Sequence, residues 1–239
     1  MIDIHCHVLP GLDDGARDLG QGIALLEALA ADGVERIVVT PHVYTGHFDN
    51  SAAGIASAFE AFSEQVPSTL ASVLGHWAAE VRVDEHVPAL LRARSLPLLS
   101  GTGSYKTVLL ELPDAYIPVG AEKLIELLLT QDIHPVIAHP ERNKAIRENP
   151  SRAKALVDLG CAMQLTAGSL LGDFGLAVSR SAHHLVDAGL VHAVASDAHN
   201  LTGRRPRMGA ARSFIQQRWG ATAARQLTYS GPAWLSGMV

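Results

Sequence analysis

The sequence predicts a single α/β domain with parallel strands, either a barrel or a doubly wound sheet. About seven strand–helix units follow one another along the 239 residues, without a repeat or a linker. The predicted strands are short and almost entirely apolar, as parallel strands buried on both faces are. Hydrophobic residues make up 48% of the chain, which is enough for a sizeable core. We therefore expect one domain over residues 1–239 rather than two small domains.

Apolar runs and capping residues set the order of the elements. Asp18 and Gln21 form a capping-box pattern ahead of the first helix, and Ser51 caps the second. The predicted strands are Ile2–His7, Arg36–Thr40, a third that opens at Ser72–Leu74 and runs toward Glu80, Thr107–Leu112, His134–Ala138, Ala162–Leu165 and Val191–Ser196. The predicted helices are Leu19–Ala31, Ser51 to about Gln65, Ala121–Gln131, Pro150–Leu159, Leu176–Ala188 and one near Met208–Trp219. The tail after Thr228 is expected to be a packed or frayed end.

Composition and charge argue against several classes of protein. The net charge is −5 and no long basic stretch is present, so we expect no nucleic-acid partner. Two cysteines, Cys6 and Cys161, are too few for a disulfide framework and favour a reducing compartment. Neither a signal peptide nor an apolar run of ~18 residues is found. We therefore expect a cytoplasmic protein without direct membrane insertion. Anchoring through a membrane-bound partner stays open, and the sequence does not set the oligomeric state.

The chain begins with a His-x-His motif in its first predicted strand. His5 and His7 are two residues apart, so both side chains project to the same side of a strand. Two imidazoles that converge at a strand end are suited to a divalent metal ion. The motif alone is a weak signal, and its value depends on whether other ligands lie nearby.

Further histidines and carboxylates follow the ends of the other predicted strands. In a parallel barrel those ends share one rim, where active sites are built. Each residue alone has an ordinary structural explanation, but their joint placement favours a two- or three-metal cluster. Among the remaining histidines only His47 stands in a loop that could overhang this rim. The nine candidate ligands are His5, His7, Asp14, His42, Glu80, Glu111, His139, Asp197 and His199.

These residues lie in motifs that resemble the PHP (polymerase and histidinol phosphatase) superfamily. Within it, the chain is similar to the bacterial protein tyrosine phosphatases of capsule and exopolysaccharide biosynthesis, the CpsB/CapC type. The resemblance extends from Met1 to about Met208. Its most specific parts are the motifs that begin at His139 and at Ser196, with Arg204 shortly after the second. The motifs are His5-x-His7, Asp13-Asp14-Gly15, Thr40-Pro-His42, Glu80, Glu111-Leu-Pro, His139-Pro-Glu-Arg142 and Ser196-Asp-Ala-His199-Asn-Leu.

The resemblance implies a distorted (β/α)7 TIM-like barrel with three divalent ions, most often manganese, with iron, zinc or cobalt as alternatives. It implies that Arg142 and Arg204 bind the phosphate, although Arg205 and Arg207 leave open which arginine faces the substrate. The substrate would be phosphotyrosine on the tail of a bacterial tyrosine kinase, attacked by a metal-bridging hydroxide. The implied ligand sets are His5, His7, Glu80 and Asp197 for the first ion, Glu80, Glu111 and His139 for the second, and Asp14, His42 and His199 for the third.

Competing chemistries fit the sequence less well. A cysteine-based phosphatase needs an arginine six residues after its cysteine, but Leu12 and Ala167 stand at that distance from Cys6 and Cys161. No Gly-x-x-x-x-Gly-Lys-[Ser/Thr] loop is present, which argues against nucleotide hydrolysis through a P-loop. Two alternatives stay open: a small-molecule phosphoesterase such as a histidinol-phosphate phosphatase, and a non-catalytic scaffold that binds the kinase. The general acid also stays open between a metal-bound water and His42.

Overall fold

The protein alternates parallel strands and helices, as the sequence predicts. The computed structural model describes residues 1–100 and 105–238; positions 101–104 and 239 lie outside the described ranges. Its strands are β1 (Ile2–Cys6), β2 (Arg36–Val39), β3 (His42–Val43), β4 (Leu74–Trp77), β5 (Glu80–Arg82), β6 (Lys106–Glu111), β7 (Ile133–Ala138), β8 (Ala162–Thr166) and β9 (Ala193–Ala195). Its α-helices are α1 (Leu19–Ala31), α2 (Ala52–Gln65), α3 (Val87–Arg92), α4 (Ala121–Leu129), α5 (Lys144–Glu148), α6 (Ser151–Asp158), α7 (Ala167–Leu171), α8 (Leu176–Asp187), α9 (Met208–Arg225) and α10 (Gly231–Ser236).

The strands form two sheets in which every pairing is parallel. One sheet has the order β1-β2-β4, and the other has the order β3-β5-β6-β7-β8-β9. The second and third predicted strands are each interrupted, at Thr40-Pro41 and at Ala78-Ala79. Each is therefore split into two segments, one in each sheet. Pro41 has no N–H to donate to a ladder, which accounts for the first interruption. The seven predicted strands therefore appear as nine segments in the described ranges.

Hydrogen bonds connect the two sheets at two places. At the interruptions, the amide of Ala78 donates to the carbonyl of Val39 (2.8 Å). At the opposite junction, β1 lies beside the segment that follows β9. There the amide of Asp197 donates to the carbonyl of His5 (2.8 Å), and the amide of His7 donates to the carbonyl of Ala198 (2.9 Å). The first and last strands thus bring their carboxyl ends together.

The apolar core has two parts. A smaller cluster includes Ile4 on β1, Leu109 on β6 and Val136 on β7, and α10 adds Leu235 to it. The larger cluster lies between the strands and the surrounding helices. The hydroxyl of Thr107 donates to the carbonyl of Leu235 (2.5 Å), which fixes α10 against the strands. The tail after Thr228 is therefore packed rather than frayed.

The helices differ from the predicted ones mainly where they are short. Four short helices of five or six residues each were not predicted from the sequence: α3, α5, α7 and α10. Helix α9 runs past its predicted end at Trp219 as far as Arg225, but Gly220 breaks its backbone with φ 90° and ψ 167°. The left-handed φ at Gly220 is one that glycine adopts without strain. In the described ranges, no helix combines the length and apolarity that crossing a membrane requires.

Candidate metal centre

Seven of the nine candidate ligands lie at the carboxyl end of a strand or in the loop that follows it, whereas His42 and Glu80 are the first residues of β3 and β5, directly after the two interruptions. Eight of them fall into three groups whose potential ligand atoms lie within 4.8 Å of one another, and the ninth, His139, contacts Glu80. The groups share His7, His42 and Glu80, so they form one continuous cluster. The three groups are His5, His7, Glu80 and Asp197; His42, Glu80 and Glu111; and His7, Asp14, His42 and His199.

The first group is dry. Its four side chains, which we call the inner group, are His5, His7, Glu80 and Asp197, and none has measurable exposure to solvent. His5 Nε2 lies 3.0 Å from Glu80 Oε2 and 3.4 Å from Asp197 Oδ1. His7 Nε2 lies 3.5 Å from both carboxylates. The composition of this group matches the set implied for the first ion.

Glu80 is at the middle of the cluster. His42 Nδ1 lies 3.1 Å from Glu80 Oε2, and His139 Nε2 lies 2.7 Å from Glu80 Oε1. The set implied for the second ion combined Glu80, Glu111 and His139. The structure instead groups His42 with the two glutamates, and places His139 against Glu80 and the ring of His5. A carboxylate with both oxygens engaged in this way is suited to bridging two ions.

The third group opens to solvent. Three of its members, which we call the outer group, are Asp14, His42 and His199, and the Asp14 side chain is 49% exposed. Asp14 Oδ1 lies 3.2 Å from His199 Nε2 and 3.4 Å from His42 Nε2. His7 adds a fourth potential ligand that the sequence analysis assigned only to the first ion. His7 therefore lies where the inner and outer groups meet.

Two candidate ligands have unusual backbone geometry. His139 has φ 32° and Asp197 has φ 51°, and they are two of the four residues other than glycine with positive φ in the described ranges. Such left-handed conformations are uncommon for residues other than glycine, although Asp and His adopt them more often than most, and they cost of order 1–3 kcal/mol. Strain of this kind clusters at functional sites. Both residues directly follow a strand, or nearly so, where a left-handed turn directs the side chain onto the rim.

Two residues outside the predicted set hold the histidines in place. Asp13 Oδ2 accepts a hydrogen bond from the amide of His42 (2.9 Å) and lies 2.7 Å from His7 Nδ1. Gln164 Oε1 lies 2.8 Å from His5 Nδ1. These contacts direct Nε2 of each histidine into the cluster, as oxygen partners of metal-binding histidines commonly do. Two features of the sequence could have indicated these residues: a second aspartate next to Asp14, and a polar residue inside the apolar strand β8.

The loop after β3 covers one edge of the outer group. The ring of Phe48 stacks on that of His42, with centroids 5.3 Å apart and planes inclined by 9°. The ring of His47 contacts Phe48 at 4.5 Å. The loop that contains His47 therefore overhangs the rim, as the sequence analysis anticipated, although His47 itself reaches the site only through Phe48.

The charges of the cluster favour cation binding. Burial alone would raise the pKa of Glu80, but His5 and the other adjacent histidines hold it well below its ordinary value. Burial and the nearby His7 lower the pKa of His199 to about 4. Glu80 and His199 are thereby held in the ionised and neutral forms that metal ligands require. Burial alone would also lower the pKa of His5, His7 and His42, but the adjacent carboxylates raise it, so a metal ion would compete with protons at these three imidazoles.

The side chains fit a divalent metal ion. Within the described ranges, Nε2 of His7 and Nε2 of His199 are buried without a well-aligned hydrogen-bond partner. Each lies within 3.5 Å of a carboxylate oxygen, so a shared cation would satisfy both kinds of atom. Mixed imidazole and carboxylate sets accept manganese, iron, zinc and cobalt.

Arg142 and Arg204 both lie at the inner group. Nη2 of Arg204 donates to both oxygens of Asp197 (2.9 Å each), and Nη2 of Arg142 lies 2.5 Å from Asp197 Oδ2. Burial would raise the pKa of Asp197, but these two guanidiniums hold it well below the usual range. Arg207 instead pairs with Asp173 (3.2 Å), and Arg205 is exposed without entering the cluster. Arg204 is therefore the member of its arginine-rich segment that reaches the site.

Arg142 is held by contacts on several sides. Nη2 also donates to the hydroxyl of Thr166 (2.8 Å) on β8. The guanidinium carbon lies 4.1 Å from the centroid of the Phe174 ring. Stacking on an aromatic face and hydrogen bonding at the edge together fix the plane of a guanidinium. Phe174 stands in the loop between α7 and α8, and no pattern in the sequence singles it out.

The cluster and its two arginines can now be compared with known proteins. A family model described as "Capsular polysaccharide synthesis, CpsB/CapC" matches residues 1–235. The chain belongs to the CpsB/CapC family. Among curated relatives, tyrosine-protein phosphatase YwqE of Bacillus subtilis is 38% identical, covering 95% of this chain and 89% of the relative. Tyrosine-protein phosphatase CpsB of Streptococcus pneumoniae is 30% identical, covering 97% and 96%.

One solved structure agrees with this assignment, and a more distant one shares the fold. One comes from work on YwqE of Bacillus subtilis and CpsB of Streptococcus pneumoniae, described as unique metal-dependent tyrosine phosphatases. It matches with a TM-score of 0.90 and 36% identity, over 99% of this chain and 94% of the other. A β-aspartyl dipeptidase from Fervidobacterium islandicum-AW-1 matches with a TM-score of 0.57 at 12% identity, which shows a shared fold alone.

Proposed function

We propose that this chain is a metal-dependent protein tyrosine phosphatase. Its substrate would be phosphotyrosine on a bacterial tyrosine kinase that controls capsule or exopolysaccharide synthesis. The single observation that carries the proposal is the approach of Arg142 and Arg204 to Asp197, inside a cluster of histidines and carboxylates. The relatives named above as tyrosine phosphatases, and the polysaccharide context of the family, support the choice of substrate.

The proposal includes the finer architecture. The hydrogen bonds at both junctions between the sheets support a single distorted (β/α)7 barrel in one domain over residues 1–239. In that arrangement the interrupted strands count as continuous staves, and β1 lies next to β9. All nine candidate ligands then belong to the carboxyl rim, where active sites of such barrels are built.

The proposed cofactor is a cluster of three divalent ions, with manganese as the preferred metal. Ions bound there would supply a water of lowered pKa as nucleophile and neutralise phosphate charge. The chain's own task is to present deprotonated ligands. Glu80, engaged through both oxygens, is the candidate bridge between ions. The residues proposed to hold the ions are His5, His7, Asp14, His42, Glu80, Glu111, His139, Asp197 and His199.

Arg142 and Arg204 would bind the phosphate. Both guanidiniums keep part of their surface exposed, with side chains 15% and 28% accessible, so an incoming anion can reach them. A guanidinium presents parallel N–H groups that match two phosphate oxygens. Two fixed positive charges beside the reacting phosphorus would stabilise the charge that develops on its oxygens.

The leaving group favours an aryl ester. Tyrosine phenolate, with a pKa of ~10, leaves more readily than an alkoxide and needs less help from a general acid. The site can therefore act on phosphotyrosine without a dedicated proton donor. An alkyl phosphate such as histidinol phosphate would depend on one.

The test measures phosphate release from a phosphotyrosine peptide and from histidinol phosphate, with added Mn²⁺ or with chelator. His139→Ala removes a candidate ligand, and His134→Ala is the matched control because His134 lies on β7, the strand that His139 follows, and stacks on Tyr105 instead. We expect metal-dependent turnover of the peptide that His139→Ala abolishes and His134→Ala retains. Faster turnover of histidinol phosphate would favour the small-molecule alternative. Peptide binding that survives chelation, without turnover, would favour the scaffold.

A further inference from the structure

A groove of about 680 Å³ opens beside the candidate metal centre. Its walls come from the segments that follow β3, β5 and β6 and from helix α4, so it lies at the same carboxyl ends as the cluster. Cavities of this size hold ligands larger than a single side chain. Nothing in the hydrolysis of the phosphate group itself requires this space.

The groove and the metal centre share a wall. Nη1 of Arg82 lies 2.9 Å from Glu111 Oε2, and Glu111 is a candidate ligand. The guanidinium of Arg82 also lies over the ring of Tyr44, with 5.0 Å between its carbon and the ring centroid. Arg82 and Tyr44 both line the groove. A molecule whose phosphate lies in the cluster would therefore meet the groove directly beyond Glu111.

The lining of the groove is apolar and exposed. Three of the eight exposed large apolar side chains in the described ranges stand on it: Tyr116, Val119 and Leu127. Val119 is fully exposed and Tyr116 is 57% exposed. Contiguous apolar surface of this kind marks binding sites on otherwise polar proteins. Among the lining residues Arg82 and Lys123 are balanced by Asp84 and Glu85, so the groove favours neither a cationic nor an anionic ligand.

We propose that this groove binds the polypeptide next to the phosphotyrosine, as an extended segment with apolar side chains. The proposal rests on the proposed function and deepens it. A phosphotyrosine in a protein continues into a chain on both sides, and the groove is the apolar surface that adjoins the centre through Arg82. A small phosphoester would leave the groove unfilled. The groove would thus distinguish protein substrates from small ones.

The experiment compares three substrates with matched variants. The substrates are para-nitrophenyl phosphate, a phosphotyrosine peptide with leucine neighbours, and the same peptide with serine neighbours. Tyr116→Ser and Val119→Ser remove apolar side chains from the groove. Tyr229→Ser is the control, because Tyr229 is also an exposed tyrosine but lies outside the groove. Burial of one apolar side chain is worth about 1.5–3 kcal/mol, so losing it raises KM about tenfold or more.

We expect the wild type to prefer the leucine peptide, and each groove variant to raise KM for that peptide alone. Turnover of para-nitrophenyl phosphate should stay at the wild-type value in all three variants. Equal KM values for both peptides, unchanged in the groove variants, would overturn the proposal while leaving the phosphatase function intact. If no substrate is hydrolysed, the proposed function fails instead. Fluorescence anisotropy of the labelled leucine peptide then still tests the groove, since Tyr116→Ser should weaken binding and Tyr229→Ser should not.

Discussion

The inner and outer groups of the cluster share their chemistry but differ in their access to water. The inner group (His5, His7, Glu80 and Asp197) is shielded from solvent, whereas Asp14 of the outer group is about half exposed. An ionised carboxylate in a dry site is costly unless cations compensate it. Water and Arg204 compensate Asp14, and Arg142 and Arg204 compensate Asp197, whereas the partners of the buried Glu80 are imidazoles. Metal binding at the inner group should therefore contribute to stability as well as to catalysis, and binding at the outer group mainly to catalysis.

Removing the metal ions should have the largest effect. Chelation should abolish phosphotyrosine hydrolysis and lower Tm, and added Mn²⁺ should restore both. A ligand at about one hundred times its Kd stabilises a protein by about 2.7 kcal/mol, which for a chain of this size corresponds to roughly 5–10 °C in Tm. Differential scanning fluorimetry and phosphate release, read on the same samples, provide the measurement. Full activity in chelator with an unchanged Tm would contradict metal binding at both the inner and the outer group.

Substituting one aspartate in each group should separate the two. Asp197→Asn leaves Arg142 without its anionic partner and Arg204 with the half-exposed Asp14 alone (3.3 Å), so we expect a loss of kcat of at least about 100-fold and a lower Tm. Asp14→Asn should reduce kcat by about tenfold, because water can take the place of one exposed oxygen, and should leave Tm close to that of the wild type. Metal content by mass spectrometry should fall further in the first variant. Equal losses of kcat and Tm in the two variants would show that the importance of a ligand does not depend on its burial.

The sequence was informative about this cluster for a physical reason. Parallel strands are recognisable as short apolar runs, and their carboxyl ends must lie on one side. A histidine such as His42, or a glutamate such as Glu111, directly at such an end is therefore assigned to that side by the amino-acid sequence alone. The positions of the nine residues followed from that rule, whereas their roles as ligands came from the family resemblance and stay a proposal.

Contacts between separate loops could not be predicted in this way. Asp13, in the loop after β1, accepts a hydrogen bond from the amide of His42 at the start of β3, and Phe174, in the segment after β8, reaches Arg142, which follows β7. The interruption at Ala78-Ala79 has no proline to announce it. Each of these features depends on packing between distant segments, which strand periodicity does not encode.

Phe174 offers a finer test, on the arginine side of the inner group. Phe174→Leu removes the aromatic face under Arg142, a contact worth about 0.5–2 kcal/mol, so kcat/KM should fall about twofold to thirtyfold. Phe174→Trp should restore it, since an indole also presents an aromatic face. The metal content should not change, because the partner of Phe174 is Arg142, which is not a candidate metal ligand. Phe214→Leu is the control, since Phe214 stacks on His183 instead. Equal losses in both leucine variants would indicate a general loss of packing.

The smallest effect is expected from modifying the cysteines, although Cys6 stands between two residues of the inner group. Its side chain is turned away from them, and its Sγ donates to the carbonyl of Val38 (3.5 Å). Burial raises the pKa of Cys6 well above its ordinary value and that of Cys161 to about 12. A thiol reacts as its thiolate, and at about pH 8 these pKa values leave almost none. Iodoacetamide should therefore leave activity unchanged on the folded protein, yet label both cysteines after denaturation, as intact-mass spectrometry would show. Inactivation in step with labelling of Cys6 would mean that the inner group opens to reagents in solution. The inner group would then be the more mobile of the two, although it is the one shielded from solvent in the structure.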